Sequence, residues 1–175
     1  MPERRTKLRG IAGALLSASV VACDFTPSAK PSTPSAEQGA ENVARIRALF
    51  EAINERREGE LIRELAAPQF VRHDLTGAIP GVTGQDGAAR FIESLRAAFP
   101  DLKLEIQDAI ADCDTVVVRF VARGTQSGPF LGQAPTNRRV EVNNINIYRF
   151  ESGRVVETWQ LTDGYGLLRQ IDSLP

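Results

Sequence analysis

Apolar positions at helical spacing dominate the first half of the chain. The first stripe starts at Glu41 and comprises Val43, Ile46, Leu49, Phe50 and Ile53. Such three- and four-residue spacing is typical of a helix with one buried face. Shorter stripes predict helices over residues 58–66 and 86–99, each followed by a proline that ends it. Residues 69–73 are predicted to be extended, and residues 76–84 to form a glycine-rich loop.

Alternation of apolar and polar residues replaces this pattern in the second half. It predicts four strands over residues 102–111, 115–124, 140–150 and 154–163. Helices followed by a meander of strands indicate an α+β domain. We therefore expect three N-terminal helices packed against one face of a strongly curved antiparallel sheet.

The last predicted strand ends in a carboxylate. Trp159, Leu161 and Asp163 point to the same side of an extended chain, and that side is largely apolar. A carboxylate in a poorly solvated pocket holds its proton more tightly and can act as a general acid or base. The alternative is a strand-end Asp that caps the following turn at Gly164-Tyr165-Gly166.

The strand before it carries two asparagines and a tyrosine. A two-residue hairpin loop at Ser152-Gly153 would pair Asn146 with Trp159. Asn144 and Asn146 would then share the face of the C-terminal carboxylate and could hold a substrate carbonyl. A three-residue loop would move both to the opposite face, and Tyr148 would move with them.

Composition excludes several function classes. The 175 residues are 42% hydrophobic and 25% charged, with a net charge of -1, and the basic residues are scattered. A nucleic-acid partner is therefore not expected. His73 is the only histidine, so a multi-histidine metal site is excluded, and we expect neither metal nor cofactor. The sequence has no glycine-rich phosphate loop and no nucleophile-elbow serine.

The N-terminal region is predicted to be an export signal rather than part of the fold. A basic start precedes a short apolar run, and residues 1–22 have the form of a signal peptide. The run ends Val20-Val21-Ala22-Cys23, which resembles the lipobox of bacterial lipoproteins, where the cysteine is lipidated. This resemblance implies an exported protein, anchored to a membrane through Cys23 and facing the periplasm or cell exterior. Residues 23–40, rich in Pro and Ser, are predicted to be a disordered linker to a domain over residues 41–175.

Several short motifs occur together in the predicted domain. They include Phe70-Val71, His73-Asp74, Phe99-Pro100-Asp101-Leu102, Phe130-Leu131-Gly132, Ile147-Tyr148-Arg149-Phe150, Gly153-Arg154-Val155-Val156-Glu157, Trp159, Asp163 and Gly166-Leu167-Leu168-Arg169-Gln170. As an ordered set over roughly residues 41–171, they resemble the SnoaL-like polyketide cyclases, or ester cyclases, of the nuclear-transport-factor-2-like superfamily. Thr158 occupies the position before the strand's Trp that carries His in the nearest members.

This resemblance implies a cone-shaped α+β barrel with a deep apolar cavity. It implies ring closure by intramolecular aldol condensation without metal, with Asp163 as catalytic acid/base and His73 as the best candidate hydrogen-bond donor. The expected ligand is a small apolar carbonyl compound. The candidate substrate-binding residues are Trp159, Asn144, Asn146, Tyr148 and Phe130. The superfamily also implies a possible homodimer formed through the outer face of the sheet.

Two other functions remain open at this point. One is a non-catalytic, lipid-anchored module that binds a small molecule or a partner; export favours it, because polyketide ring closure normally occurs beside cytoplasmic synthases. The other is a hydrolase that opens a strained ring with water activated by an Asp. That reaction usually needs a second carboxylate and an arginine in the cavity.

Overall fold

The computed structural model describes residues 36–77 and 81–171. The helices are α1 (Ala36–Glu55), α2 (Glu58–Leu65), α3 (Gly84–Ala98) and α4 (Gly164–Gln170), and the strands are β1 (Ala66–Asp74), β2 (Val82–Thr83), β3 (Lys103–Asp112), β4 (Thr115–Thr125), β5 (Arg139–Glu151) and β6 (Arg154–Thr162). The predicted signal peptide, Cys23 and most of the predicted linker lie outside the described residues.

The helices follow the apolar stripes of the sequence. In α1, Ile46, Phe50 and Ile53 are buried, as their spacing predicts. This helix begins at Ala36, before the predicted start at Glu41, so the last predicted linker residues, 36–40, are helical. No helix of the described residues is long and apolar enough to cross a membrane.

The six strands form one curved, open sheet in the order β2-β1-β6-β5-β4-β3. The predicted α+β fold is confirmed, with two differences in the sheet. The sheet is mixed rather than antiparallel, because β1 joins it parallel to β6. It also does not close into a barrel.

The hairpin between β5 and β6 determines which side chains face the helices. Glu151 pairs with Arg154 across a two-residue loop, the first of the two alternatives considered, and both loop residues have positive φ. One extra residue, Val156, then lies between the pairs Phe150–Val155 and Arg149–Glu157. This bulge exchanges the two faces of β6 for the rest of the strand.

The core divides into two apolar clusters between helices and sheet. One includes Ile46 and Phe50 of α1 with Val118 and Phe120 of β4. The other includes Phe99 and Leu102 with Val140 and Val142 of β5 and Leu167 of α4. The helical face of the sheet forms one wall of a space that residues of the four helices also line.

Candidate active site

An apolar cavity of about 220 Å³ lies between the helices and the sheet. Leu49, Ile53, Phe91, Ile92 and Leu95 line it from the helices, and Phe130 lines it from the loop after β4. Phe130 also packs edge-on against Phe99, with ring centroids 5.1 Å apart. The size and lining suit an apolar small molecule.

One wall of this cavity is polar. We call it the polar wall; it consists of Arg72, Asn144, Asn146, Tyr148, Thr158, Gln160 and Thr162, all on adjacent strands β1, β6 and β5. Buried polar groups in such number are unusual unless they are hydrogen-bonded. The hydrogen-bond partners of these groups therefore indicate which donors and acceptors remain available to a ligand.

A continuous hydrogen-bond network crosses the polar wall. Arg72 Nε donates to Gln160 Oε1 at 3.0 Å, and Gln160 Nε2 donates to Thr162 Oγ1 at 3.1 Å. Thr162 Oγ1 donates in turn to Asn144 Oδ1 at 2.8 Å, and Asn144 Nδ2 donates to the Val142 carbonyl at 2.9 Å. This network fixes the orientation of its side chains before any ligand binds.

Other groups on the wall have unused hydrogen-bonding capacity. Asn146 Nδ2 donates to Tyr148 Oη at 2.8 Å, so the phenol proton can be donated elsewhere. Asn146 Oδ1 and Thr158 Oγ1 are buried and have no hydrogen-bond partner. Burial raises the pKa of Tyr148 to about 12, although the Asn146 hydrogen bond and the Arg72 charge oppose this rise. Tyr148 is therefore protonated at neutral pH and can donate to a ligand oxygen.

Arg72 is the only cation on this wall, and its side chain is 4% exposed. Its guanidinium carbon lies 4.2 Å from the centroid of the Phe91 ring. Nη2 lies 3.9 Å from Asp74 Oδ1, and neither Nη atom has a hydrogen-bond partner. Burial lowers the pKa of Arg72, while the Asp74 carboxylate opposes that change. The arginine remains charged under all ordinary conditions.

Asp163 lies at the end of β6 but does not line the cavity. Its carboxylate is exposed, and Oδ1 accepts a hydrogen bond from Gly166 N at 2.8 Å. This is an N-cap for α4, the structural alternative considered for this residue. The next residue in the chain, Gly164, does line the cavity, so Asp163 is one residue away from the cavity lining.

His73 and Trp159 lie on the outer face of the sheet, not on the cavity wall. Their rings stack with centroids 5.5 Å apart. His73 Nε2 is 2.8 Å from Glu157 Oε1, and Arg149 Nη2 donates to Glu157 Oε2 at 2.8 Å. The hydrogen bonds from Arg149 and His73 hold the pKa of Glu157 below its ordinary value.

The bulge at Val156 explains why Trp159 lies on the outer face while Thr158 and Gln160 line the cavity. The pairing of Asn146 with Trp159, expected for a two-residue loop, is wrong, because Asn146 pairs with Gln160. The cavity consequently receives Asn144, Asn146, Tyr148 and Phe130 of the predicted set, and not Asp163, His73 or Trp159. Adjacent apolar residues Val155 and Val156 interrupt the alternation, and this was the available signal for the bulge.

Arg72, Thr158, Gln160 and Thr162 were missed from the sequence. Arg72 is two residues from the buried Phe70 in an extended segment, so alternation alone puts both on one face. The three residues of β6 would have followed from the correct register. Among the described residues, no group of three or more His, Cys, Asp or Glu side chains could hold a metal ion.

Comparison with known proteins agrees with this architecture. The family model for the SnoaL-like polyketide cyclases matches residues 44–171. The chain belongs to the SnoaL-like polyketide cyclase family. None of the curated proteins matches it significantly.

Solved structures of related proteins cover nearly the same region. IdmH from Streptomyces antibioticus, a candidate polyketide cyclase, is 35% identical over 75% of this chain and 98% of its own, with a TM-score of 0.65. A candidate SnoaL-like polyketide cyclase from Jannaschia sp. CCS1 is 27% identical over 78% of this chain and 95% of its own, with a TM-score of 0.71. AclR from Streptomyces galilaeus, a candidate hydroxylase, is 29% identical over 78% and 99%, with a TM-score of 0.68. Family membership supports a cyclase- or isomerase-like role.

Proposed function

We propose that this SnoaL-like protein is a cofactor-independent cyclase or isomerase acting on a small apolar carbonyl compound. The observation that carries the proposal is the polar wall within an otherwise apolar cavity. An apolar skeleton would fill the space between the helices, and its carbonyl oxygens would meet the donors of β5 and β6. This combination orients a substrate and excludes water from the reacting atoms.

The wall can stabilise negative charge on a carbonyl oxygen. Tyr148 Oη has a proton to donate, and Asn146 holds the phenol in place at 2.8 Å. Fixed donors at the oxygen of a developing enolate or alkoxide lower the barrier, because they need not reorganise during the reaction. The low polarity of the surrounding residues strengthens these interactions.

The proton-transfer group in this proposal is Asp163, on the strength of the family resemblance. Its carboxylate would take an α-proton, and the resulting enolate carbon would attack a second carbonyl carbon of the same molecule. The alkoxide formed with the new C–C bond would regain the proton from the carboxylic acid. Gly164 lines the cavity immediately after Asp163, which supports access of the carboxylate to a bound substrate.

A second candidate function is binding without catalysis. It is favoured by the exposure of Asp163 and by the hydrogen bond from Gly166 N that occupies Oδ1. Such a module would hold the same class of ligand on the same polar wall. Export to the periplasm or cell exterior, a lipid anchor at Cys23 and a homodimer are further proposals that accompany either function. For the dimer, Ile145 and Leu161 are exposed on the outer face of the sheet, 40% and 48% respectively.

Turnover of β-keto esters separates the two functions. The full chain is incubated with a panel of apolar β-keto esters that carry a second carbonyl group, and cyclised products, which are isomers of the substrates, are identified by chromatography and NMR. We expect turnover by the wild type and a loss of about 10²-fold or more in Asp163→Asn, since general base catalysis contributes on that order. Asparagine can still cap α4, so the variant keeps the fold.

Asp86→Asn is the matched control. Asp86 is an exposed aspartate in the first turn of α3 and does not line the cavity. It should turn over substrate at the wild-type rate. Equal rates for wild type and Asp163→Asn would refute the acid/base role of Asp163. Ligand binding without product from any ester would favour the binding module.

A further inference from the structure

A buried ion pair on β1 has no role in the reaction as proposed above. Arg72 and Asp74 are two residues apart, their side chains are 4% and 2% exposed, and Nη2 and Oδ1 lie 3.9 Å apart. At that distance the charges attract each other without a hydrogen bond between these two atoms. Nη1 and Nη2 of Arg72 have no hydrogen-bond partner, and a buried ion pair with unsatisfied donors adds little stability, so this geometry suggests another use.

Two donor groups of Arg72 remain available to a ligand. Nε is committed to Gln160, while Nη1 and Nη2 are buried without a hydrogen-bond partner. Arg72 lines the cavity, and Phe91 covers the face of its guanidinium group. Leaving such donors unpaired in a buried site is costly, and a ligand oxygen would remove that cost.

Further ligand-binding groups adjoin Arg72 across the strands. Arg72 pairs with Thr158 in the register of β1 and β6, and Thr158 pairs with Tyr148 in that of β6 and β5. Adjacent strands are about 4.8 Å apart, so these side chains surround one patch of the cavity wall. The Thr158 hydroxyl has no hydrogen-bond partner either. An oxygen at this patch would meet several donors at once.

We propose that Arg72 binds the oxygen of a weakly acidic enol or phenol group on the ligand, and that Asp74 makes the site selective against permanent anions. This rests on the proposed function, because the oxygen belongs to the ligand of the same cavity. The pair is neutral as a whole, so it accepts a neutral O–H ligand. The guanidinium donates hydrogen bonds to this oxygen while the ligand keeps its proton. An ionised oxygen, whether of a phenolate or of a carboxylate, would place a second negative charge beside Asp74.

The electrostatics around the guanidinium support this selectivity. Among the described residues, the titratable groups that face it are Asp74 from its own strand and Tyr148 from β5. Strand β6 and helix α3 present the uncharged Gln160 and Phe91. Among the described residues, the other arginine that lines the cavity, Arg123, is paired with Glu105 and Glu141. A single added anion beside Arg72 is therefore balanced only if Asp74 is protonated or absent.

The test compares 2-naphthol with 2-naphthoate, two apolar probes of similar size. The full chain is titrated with each, and the absorbance of neutral and ionised naphthol gives the pKa of the bound probe. We expect this pKa to be no lower than in water, because the pair carries no net charge and burial favours the neutral form. Naphthoate should bind at least about tenfold more weakly than naphthol.

Variants that change the pair as a unit keep the test interpretable. Arg72→Met with Asp74→Asn removes both charges, so neither is left buried alone, and it should weaken naphthol binding about tenfold or more because the guanidinium donors are lost. Asp74→Asn alone should lower the pKa of bound naphthol by about 1–3 units, the effect of one unbalanced cation at close range, and should increase naphthoate affinity about tenfold or more. Arg119→Met with Asp108→Asn is the matched control, because it removes a pair joined at 2.6 Å outside the cavity. This control should change neither the pKa of bound naphthol nor the affinity for naphthoate.

The outcomes separate this inference from the proposed function. If naphthol binds to the wild type with a lowered pKa, or if naphthoate binds equally well, the role of Arg72 and Asp74 is refuted while a carbonyl-binding cavity stands. The comparison of the two probes on wild type decides this even if a variant fails to fold. If neither probe binds, the inference fails, and absence of β-keto ester binding as well would refute the proposed function.

Discussion

Arg72 Nε and Gln160 Oε1 are joined by a hydrogen bond of 3.0 Å that links β1 to β6 inside the cavity. Gln160 also donates to Thr162, so it connects the buried cation to the rest of the polar wall. Strands β1 and β6 are parallel and far apart in sequence. This side-chain hydrogen bond joins them in addition to the backbone hydrogen bonds of the ladder. The contact holds Arg72 in one orientation toward the cavity.

Replacing Gln160 by Leu should therefore destabilise the protein. The change leaves Arg72 Nε buried without a partner, at a cost of about 1–3 kcal/mol in the free energy of unfolding. Urea denaturation followed by circular dichroism measures this cost. Gln107→Leu is the control, since Gln107 is exposed on β3, and its effect should stay within about 0.5 kcal/mol. Equal stability of both variants would contradict a structural role for Gln160.

Capping of α4 by Asp163 predicts a difference between two substitutions. Asp163→Ala removes the acceptor for Gly166 N and should lower the free energy of unfolding by about 0.5–2 kcal/mol. Asp163→Asn keeps an acceptor oxygen and should lose much less. Urea denaturation of both variants measures the difference. If alanine is tolerated as well as asparagine, the cap contributes nothing to stability.

Tyr148 should resist ionisation in the folded protein. Its pKa is raised to about 12 by burial, and the chain has only one other tyrosine, Tyr165. In a Tyr165→Phe variant, the ultraviolet absorbance of the remaining phenol should therefore rise with a midpoint near 12. Circular dichroism at each pH shows whether the fold is intact. A midpoint near 10 in folded protein would contradict the burial of this phenol.

Glu157 predicts an acid-dependent loss of stability. Hydrogen bonds from Arg149 and His73 lower its pKa below the ordinary 4.5. The ionised carboxylate therefore stabilises the fold above that pH, and the stabilisation is lost as the pH falls through the lowered pKa. The urea midpoint of wild type should exceed that of Glu157→Gln at neutral pH, and the gap should narrow below pH 4.5.

Glu64→Gln tests whether this effect is specific to Glu157. Glu64 is an exposed carboxylate on α2, remote from the outer face of the sheet that carries His73. The difference in urea midpoint between wild type and Glu64→Gln should not narrow below pH 4.5 as it does for Glu157→Gln. A constant gap for Glu157→Gln would show that its hydrogen bonds do not favour the ionised form.

The fold could be predicted from the sequence because local patterns and the global arrangement agree. The stripe that includes Ile46, Phe50 and Ile53 is the buried face of α1, and the four long strands have the expected order. The parallel pairing of β1 with β6 was missed, because residues 69–73 reveal an extended segment without revealing its partner. Pairing between distant strands is decided by packing rather than by local preference.

The site could be predicted only in part, and one residue accounts for most of the difference. Val156 is the extra residue of the bulge, so every side chain of β6 after it faces the side opposite to the one expected. Asn144 and Asn146 reach the cavity as hypothesised, but in company with Gln160 and Thr162 rather than Trp159. One extra residue moves every later side chain of the strand to the other face, so hydrophobic alternation alone cannot fix the register beyond a bulge.

The family resemblance and the geometry emphasise different carboxylates. The resemblance assigns the chemistry to Asp163, which is exposed and caps a helix. The geometry directs attention to Asp74, which is buried beside Arg72. Substrate turnover by Asp163→Asn and probe binding by Asp74→Asn therefore address separate groups, and neither result predetermines the other.

The most direct test of the central claim is a crystal structure of the full chain with a bound β-keto ester such as ethyl benzoylacetate. The account predicts the aromatic ring among the helical residues near Phe91 and Leu95, with a carbonyl oxygen within about 3.2 Å of a donor on the polar wall, Tyr148 Oη first among them. A ligand bound outside the cavity, or one whose oxygens avoid the polar wall, would contradict the account.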